Sequence, residues 1–156
     1  MTSPTTTPPS RLRAQSLVDS VMRALLRSPL HRALSGKLMI VTVVGRKTGR
    51  VYANPVGYAE HDGALLVGTA AGWRRNLQPG EPVRITWRGR TLLADWEVIS
   101  DEEALVEPYR IILSHNPTHG RFAGIELNPD GGVNREQLHA AVARGTVVVR
   151  LRPRAA

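Results

Sequence analysis

Gly45-Arg46-Lys47-Thr48-Gly49-Arg50 sets three cations inside a six-residue segment bounded by two strand-like runs, Leu38–Val44 and Val51–Ala59. Arg46 and Arg50 bring planar, forked donors, and Lys47 brings a compact charge; both suit phosphate or carboxylate oxygens. The glycines let the backbone turn tightly and approach a ligand. The same composition also describes a solvated, charged turn. A second segment, Trp73-Arg74-Arg75-Asn76-Leu77, follows the small residues Ala70-Ala71-Gly72. It reads as a strand-to-helix junction, where backbone amides favour anions. Taken alone, its spacing is better explained by a core Trp73 and Leu77 with solvated arginines.

Other chemistries find less support. A Walker loop needs four residues between its first glycine and Gly-Lys-Ser/Thr, and a helix after it. Here Lys47 follows Arg46 directly and a strand follows the loop. There is no Gly-x-Gly-x-x-Gly and no Gly-x-Ser-x-Gly, which disfavours a Rossmann site and a serine hydrolase. His115 and His119 stand four apart, but Pro117 and Gly120 make a poor helix, so no metal site is expected. Glu102, Glu103 and Glu107 read as the N-terminal face of a helix.

The elements that position these residues follow from the rest of the chain. Its 156 residues suit one domain and carry a net charge of +8, which favours acidic partners. Lys37 and Lys47 are the only lysines, so part of the arginine excess is compositional. With no cysteine, disulfides, thiolate metal sites and Cys nucleophiles are excluded. No apolar stretch is long enough to span a bilayer, and Met1–Ser10 has no apolar centre of a secretory signal. A cytoplasmic protein is expected, with residues 1–13 a disordered tail and 14–156 one domain.

Ala14–Arg27 has helical spacing, with Leu17, Val21 and Leu25 on one face and arginines elsewhere. Such a helix either packs on a sheet or lies on an anionic membrane as a peripheral contact. Pro29 ends it, and a short turn over Leu30–Leu34 closes at Gly36. Pro55 marks the second run as an edge strand or a bulge. His61-Asp62-Gly63 and Arg88-Gly89-Arg90 read as hairpin turns. Ala64–Thr69, Pro82–Trp87, Thr91–Ile99 and Thr146–Leu151 complete about six antiparallel strands, the pattern of a small barrel. Ser100 is the expected N-cap of a helix through Leu113, interrupted by Pro108, and Asn134 the N-cap of a last helix ending at Gly145. The fold class is α+β.

The order β-run, Gly-Arg-Lys-Thr-Gly-Arg, x-x-Asn54-Pro55-Val56, Asp-Gly hairpin, small-residue loop, Trp-x-x-Asn-Leu, strand, Gly-Arg turn, strand resembles the deazaflavin-dependent nitroreductase family. The likeness runs from about Leu38 to Ile99, and the Val-Val-Val-Arg-Leu-Arg-Pro ending is similar too. The resemblance implies a split β-barrel, related to pyridoxamine-phosphate oxidases, that binds coenzyme F-420, with FMN as the less favoured cofactor. It implies that Arg46, Lys47, Thr48, Gly49 and Arg50 hold the phosphate and acidic tail. Asn54, Pro55 and Val56 would lie along the deazaflavin ring. Thr69, Ala70, Ala71 and Gly72 would cover the ring edge, with Trp73, Arg74 and Asn76 fixing that loop. The implied reaction is hydride transfer to a small-molecule electron acceptor: a quinone, enone or nitro compound. The family's substrate-side tyrosines have no clear counterpart, and Tyr109 is the candidate proton donor. Thr69-Ala-Ala-Gly72 is shorter than the matching loop of many relatives.

A carrier of a flavin, haem or lipid-like ligand is the alternative on the same fold. A nucleic-acid-binding barrel is not expected, because aromatic residues are only 4% of the chain and single-strand binders present stacking platforms. A monomer or a homodimer is expected.

Overall fold

The computed structural model describes residues 9–27, 38–117, 120 and 123–155. The expected tail over its first eight positions, Pro29, the turn over Leu30–Leu34 and Gly36 lie outside these residues. Helix α1 spans Pro9–Arg27, five residues earlier at its start than the periodicity from Ala14 indicates. Ala14 and Val18, one turn apart, are buried where α1 packs on the strands that follow.

Seven antiparallel strands follow: β1 Leu38–Val44, β2 Val51–Gly57, β3 Ala59–His61, β4 Ala64–Thr69, β5 Val83–Trp87, β6 Arg90–Ile99 and β7 Val147–Pro153. The expected six become seven because the second run breaks at Tyr58 into β2 and β3. That break closes the architecture. The sheet order is β2-β1-β5-β6-β7-β4-β3, so β2 and β3 are its two opposite edges. Yet only Tyr58 separates them in the chain. Two residue steps span at most about 7 Å, so the sheet must curl until its edges meet. The result is a split β-barrel, and Pro55 lies on an edge strand, where its missing N–H costs no ladder bond.

Strand alternation assigns the two faces. Met39, Val41, Val43, Leu65, Val67, Ile85, Val149 and Leu151 point inward and are buried together. Leu66 and Val148, of opposite parity, meet Leu105, Tyr109, Ile112 and Leu138 in a second cluster outside the barrel. Those partners belong to α2, Glu102–His115, and α3, Arg135–Ala143. The cap of α2 is Asp101 rather than Ser100: its carboxylate accepts from Ala104 N at 3.0 Å. A carboxylate also complements the helix dipole there, which a serine does not. Pro108 sits inside α2 without ending it. Asn134 caps α3 as expected, accepting from Gln137 N at 3.0 Å.

Candidate functional site

The loop between β1 and β2 is built around Gly45. Its N–H donates to Arg50 O at 2.7 Å and its carbonyl accepts from Gly49 N at 2.9 Å, closing a compact turn. Gly49 sits at φ 68°, a left-handed conformation that favours glycine. A Cβ on Gly45 would stand 2.7 Å from Thr48 Oγ1 and 2.9 Å from Tyr52 Cε2, so the position admits no side chain without movement. Thr48 Oγ1 in turn accepts from Arg50 N at 3.3 Å.

The second segment folds as a short 3-10 helix, Gly72–Asn76. Trp73 and Leu77 are buried in the barrel core, as their spacing indicates, while Arg75 is exposed. The two segments are joined directly. Arg46 N donates to Asn76 Oδ1 at 3.2 Å, and Arg46 Nη1 donates to Arg75 O at 3.2 Å.

Between them opens a cleft of about 770 Å³. The cationic loop contributes Arg46, Lys47 and Thr48; β2 contributes Tyr52 and Asn54; the 3-10 helix contributes Gly72, Trp73, Arg75 and Asn76. Tyr52 and Asn54 share a strand face with Val56, and their partners across the ladder are Val43, Val41 and Met39. The cleft is therefore the mouth of the barrel. Asn54 Nδ2 donates to Val41 O, on its ladder partner, at 3.2 Å, which holds its amide against the β1–β2 backbone at the cleft.

The electrostatics of this mouth are one-sided. The sequence has no Asp or Glu between Asp19 and Glu60 or between Asp62 and Glu81, and both cleft-forming segments lie in those intervals. Elsewhere, five arginines are paired: Arg88 with Glu60, Arg110 with Glu107, Arg135 with Glu103, Arg150 with Glu97 and Arg154 with Asp95, while among the described residues Arg84, Arg90 and Arg152 are in no ion pair and do not line this cleft. Among the described residues, no ion pair includes Arg46, Lys47, Arg50 or Arg75. Exposed cations without counter-ions, beside a concave surface, attract and retain an anionic ligand.

Not every expected site residue reaches this cleft. Arg50, the residue before β2, is exposed but outside the lining. Gly49 closes the turn and does not face the cleft. Pro55 lies on the opposite strand face from Asn54, and Val56, one pair deeper, packs on the barrel core. Arg74 leaves the cleft altogether: Nη2 donates to Gly145 O at 3.2 Å, tying the 3-10 helix to the end of α3.

Thr69, Ala70 and Ala71 line a separate cavity of about 290 Å³ together with Gly68, Tyr109 and Arg144. Thr69 Oγ1 accepts from Ala71 N at 3.0 Å and fixes the loop between this cavity and Gly72. Tyr109 is fully buried, and burial pushes its phenol pKa well above the ordinary value. Arg75 lines the cleft in place of the Arg74 that the resemblance implies, and Tyr52, which no sequence motif points to, lines it too. Tyr52 sits two positions before Asn54, and strand periodicity alone puts the two side chains on one face.

His115 Nδ1 lies 2.8 Å from Ile111 O, and His119 falls outside the described residues. No helix among the described residues is long and apolar enough to cross a membrane.

The fold has solved counterparts. A candidate 5-nitroimidazole antibiotic resistance protein from Bacteroides thetaiotaomicron is similar over 88% of this chain and 78% of its own, at 15% identity and a TM-score of 0.51. A conserved hypothetical protein from Mycobacterium tuberculosis is similar over 82% of this chain and 81% of its own, at 17% identity and a TM-score of 0.52. Identities this low show a shared fold. Among curated proteins no match is found. The sequence model that describes the F420H(2)-dependent quinone reductases matches residues 18–122, which include β1 to β6, the cationic loop and the whole mouth of the barrel. That match spans more than half of the chain, which therefore belongs to this family of oxidoreductases.

Proposed function

We propose that the protein holds coenzyme F-420 in the mouth of the barrel and reduces a quinone-type acceptor. One observation carries this reading. Two segments distant in the chain, Arg46–Thr48 and Gly72–Asn76, are tied by the Arg46 N–Asn76 Oδ1 bond into a single cationic cleft free of carboxylates. The cofactor's phosphate and acidic tail need such donors, and the cleft's size falls in the range of small-molecule sites. The residues present therefore fit the group that the family implies.

Arg46, Lys47 and Thr48 bind the phosphate and tail, with Arg75 adding charge from the facing wall. Gly49 keeps the loop closed, and Arg50 contributes to the attraction at longer range. Tyr52 and Asn54 flank the ring at the mouth, and Gly72 and Trp73 form its far wall. When bound, the reduced deazaflavin supplies a hydride. The chain supplies position and electrostatics. The acceptor uses the neighbouring cavity behind Thr69–Ala71, where Tyr109 keeps its proton because burial disfavours the phenolate. Tyr109, held protonated, is the candidate hydrogen-bond donor to the acceptor oxygen, and the proton that oxygen takes up comes from solvent, because the same burial makes the phenol a weak acid. Quinones are the first acceptors to try, and electron-poor enones and nitroaromatics share their readiness to take a hydride.

A fluorescence titration with oxidised coenzyme F-420, run beside FMN, tests the cofactor. Saturable binding of the deazaflavin with little or no binding of FMN is expected. Binding of FMN alone would replace the cofactor, and binding of neither would remove the reading.

A further inference from the structure

Tyr52 is the residue of the cleft whose presence its own surroundings do not explain. A tyrosine on a barrel strand ordinarily buries its ring, yet this one is 42% exposed and belongs to neither core cluster. It does not project into open solvent either. Its ring edge lies over Gly45, close enough that a Cβ there would come within 2.9 Å of Cε2. Its hydroxyl stands 3.5 Å from Thr48 Oγ1, at the weak limit of a hydrogen bond. One side of the ring is thus backed by the cationic loop, and the remainder faces the cleft beside Lys47, Asn54 and Trp73. Apolar surface held open in a concave site gains by being covered.

We propose that Tyr52 is the specificity-determining residue of the mouth. Its exposed ring is the stacking wall for the planar ring system of the bound cofactor, while the Arg46–Thr48 loop takes the anionic end. This rests on the reading of the cleft as the cofactor site. The division of labour follows from the neighbouring chemistry. The Thr48 hydroxyl stands at the hydroxyl end of the ring, and the cleft around it takes Arg46 and Lys47 from the loop and Gly72 and Trp73 from the 3-10 helix. An aromatic face rewards a flat, polarisable partner and gives little to a flexible one. Gly45 is part of the device, since any side chain there would displace the ring.

The hydroxyl is secondary in this assignment, which makes it separable from the ring. Tyr52→Phe keeps the ring and removes the hydroxyl; Tyr52→Ala removes both; Tyr52→Trp offers a larger ring. The measurement is the Kd for oxidised coenzyme F-420 by fluorescence, with thermal melting as the control for folding. Expected is a Kd at least tenfold weaker for Tyr52→Ala, and within threefold of wild type for Tyr52→Phe and Tyr52→Trp. Equal loss in Tyr52→Phe and Tyr52→Ala would assign the effect to the hydroxyl and overturn the stacking role. Unchanged binding in Tyr52→Ala would overturn it as well, with the cofactor site intact. Failure of the wild type to bind would instead remove the cofactor reading, and this inference with it. Should Tyr52→Ala not fold, Tyr52→Leu, which keeps apolar volume without a flat face, gives the same contrast with Tyr52→Phe.

Discussion

Arg46 N and Asn76 Oδ1 are 3.2 Å apart although 30 residues separate them in the chain. This bond fixes the cationic loop against the 3-10 helix, and the guanidinium of Arg46 repeats the tie at Arg75 O, 3.2 Å away. Arg46 is thus both a charge of the site and the clasp that holds its two walls together.

Asn76→Ala removes the side-chain acceptor and leaves the loop held by the guanidinium alone. A hydrogen bond of this kind contributes about 1 kcal/mol, so cofactor affinity should fall roughly fivefold. The melting temperature should change little, because the bond is at the surface. A calorimetric Kd equal to that of the wild type would show that the clasp does not preorganise the cleft.

Lys47 and Arg50 look equivalent in the sequence, and the structure separates them. Lys47 lines the cleft and Arg50 does not. Lys47→Ala should weaken cofactor binding about tenfold, or 1.4 kcal/mol, and Arg50→Ala clearly less. Lys47→Ala should also flatten the dependence of Kd on salt, since the screening length is about 8 Å at physiological ionic strength. Combining both substitutions should cost more than Lys47→Ala alone. If the folded double variant binds as the wild type does, the cations hold no phosphate.

This separation marks where sequence reasoning reaches its limit. The strands were legible because alternating β-branched runs between Gly and Asp-Gly turns encode local geometry. The cationic loop was legible because its residue types carry their chemistry with them. What could not be read was direction. Arg74 and Arg75 are adjacent and alike, yet one reaches Gly145 and the other the cleft. That outcome depends on where α3 ends against the 3-10 helix, a long-range fact. The division of β2 from β3 at Tyr58 is similar, because it follows from closure of the sheet rather than from any local signal.

Gly45→Ala should disturb both the loop and Tyr52. The new methyl meets Thr48 Oγ1 at 2.7 Å and Tyr52 Cε2 at 2.9 Å, distances below van der Waals contact. Both neighbours are side chains rather than backbone and Tyr52 is partly exposed, so the expected loss of stability is at the low end of overpacking, about 1 kcal/mol. The larger effect should fall on binding, because the moved groups line the cleft. A melting temperature within a degree of wild type together with an unchanged Kd would show that the loop tolerates a side chain there.

Tyr109 gives a prediction at the alkaline limit. Burial raises its phenol pKa in the folded protein above the unfolded reference of 10.0. Its contribution is therefore fully present below pH 10 and is lost as pH rises from there toward the folded value, because the unfolded chain ionises first. Tyr109→Phe cannot ionise and should lose less stability between pH 9 and about 11 than the wild type does. The same shift keeps the proton on Tyr109 throughout the neutral range, so its ionisation should add no falling limb to the rate profile below pH 10. Chemical unfolding of both proteins across that interval measures the first effect, and quinone turnover against pH measures the second. Parallel stability curves for the two proteins would place the phenol in a more solvated environment than the cluster around Leu105, Ile112 and Leu138 provides.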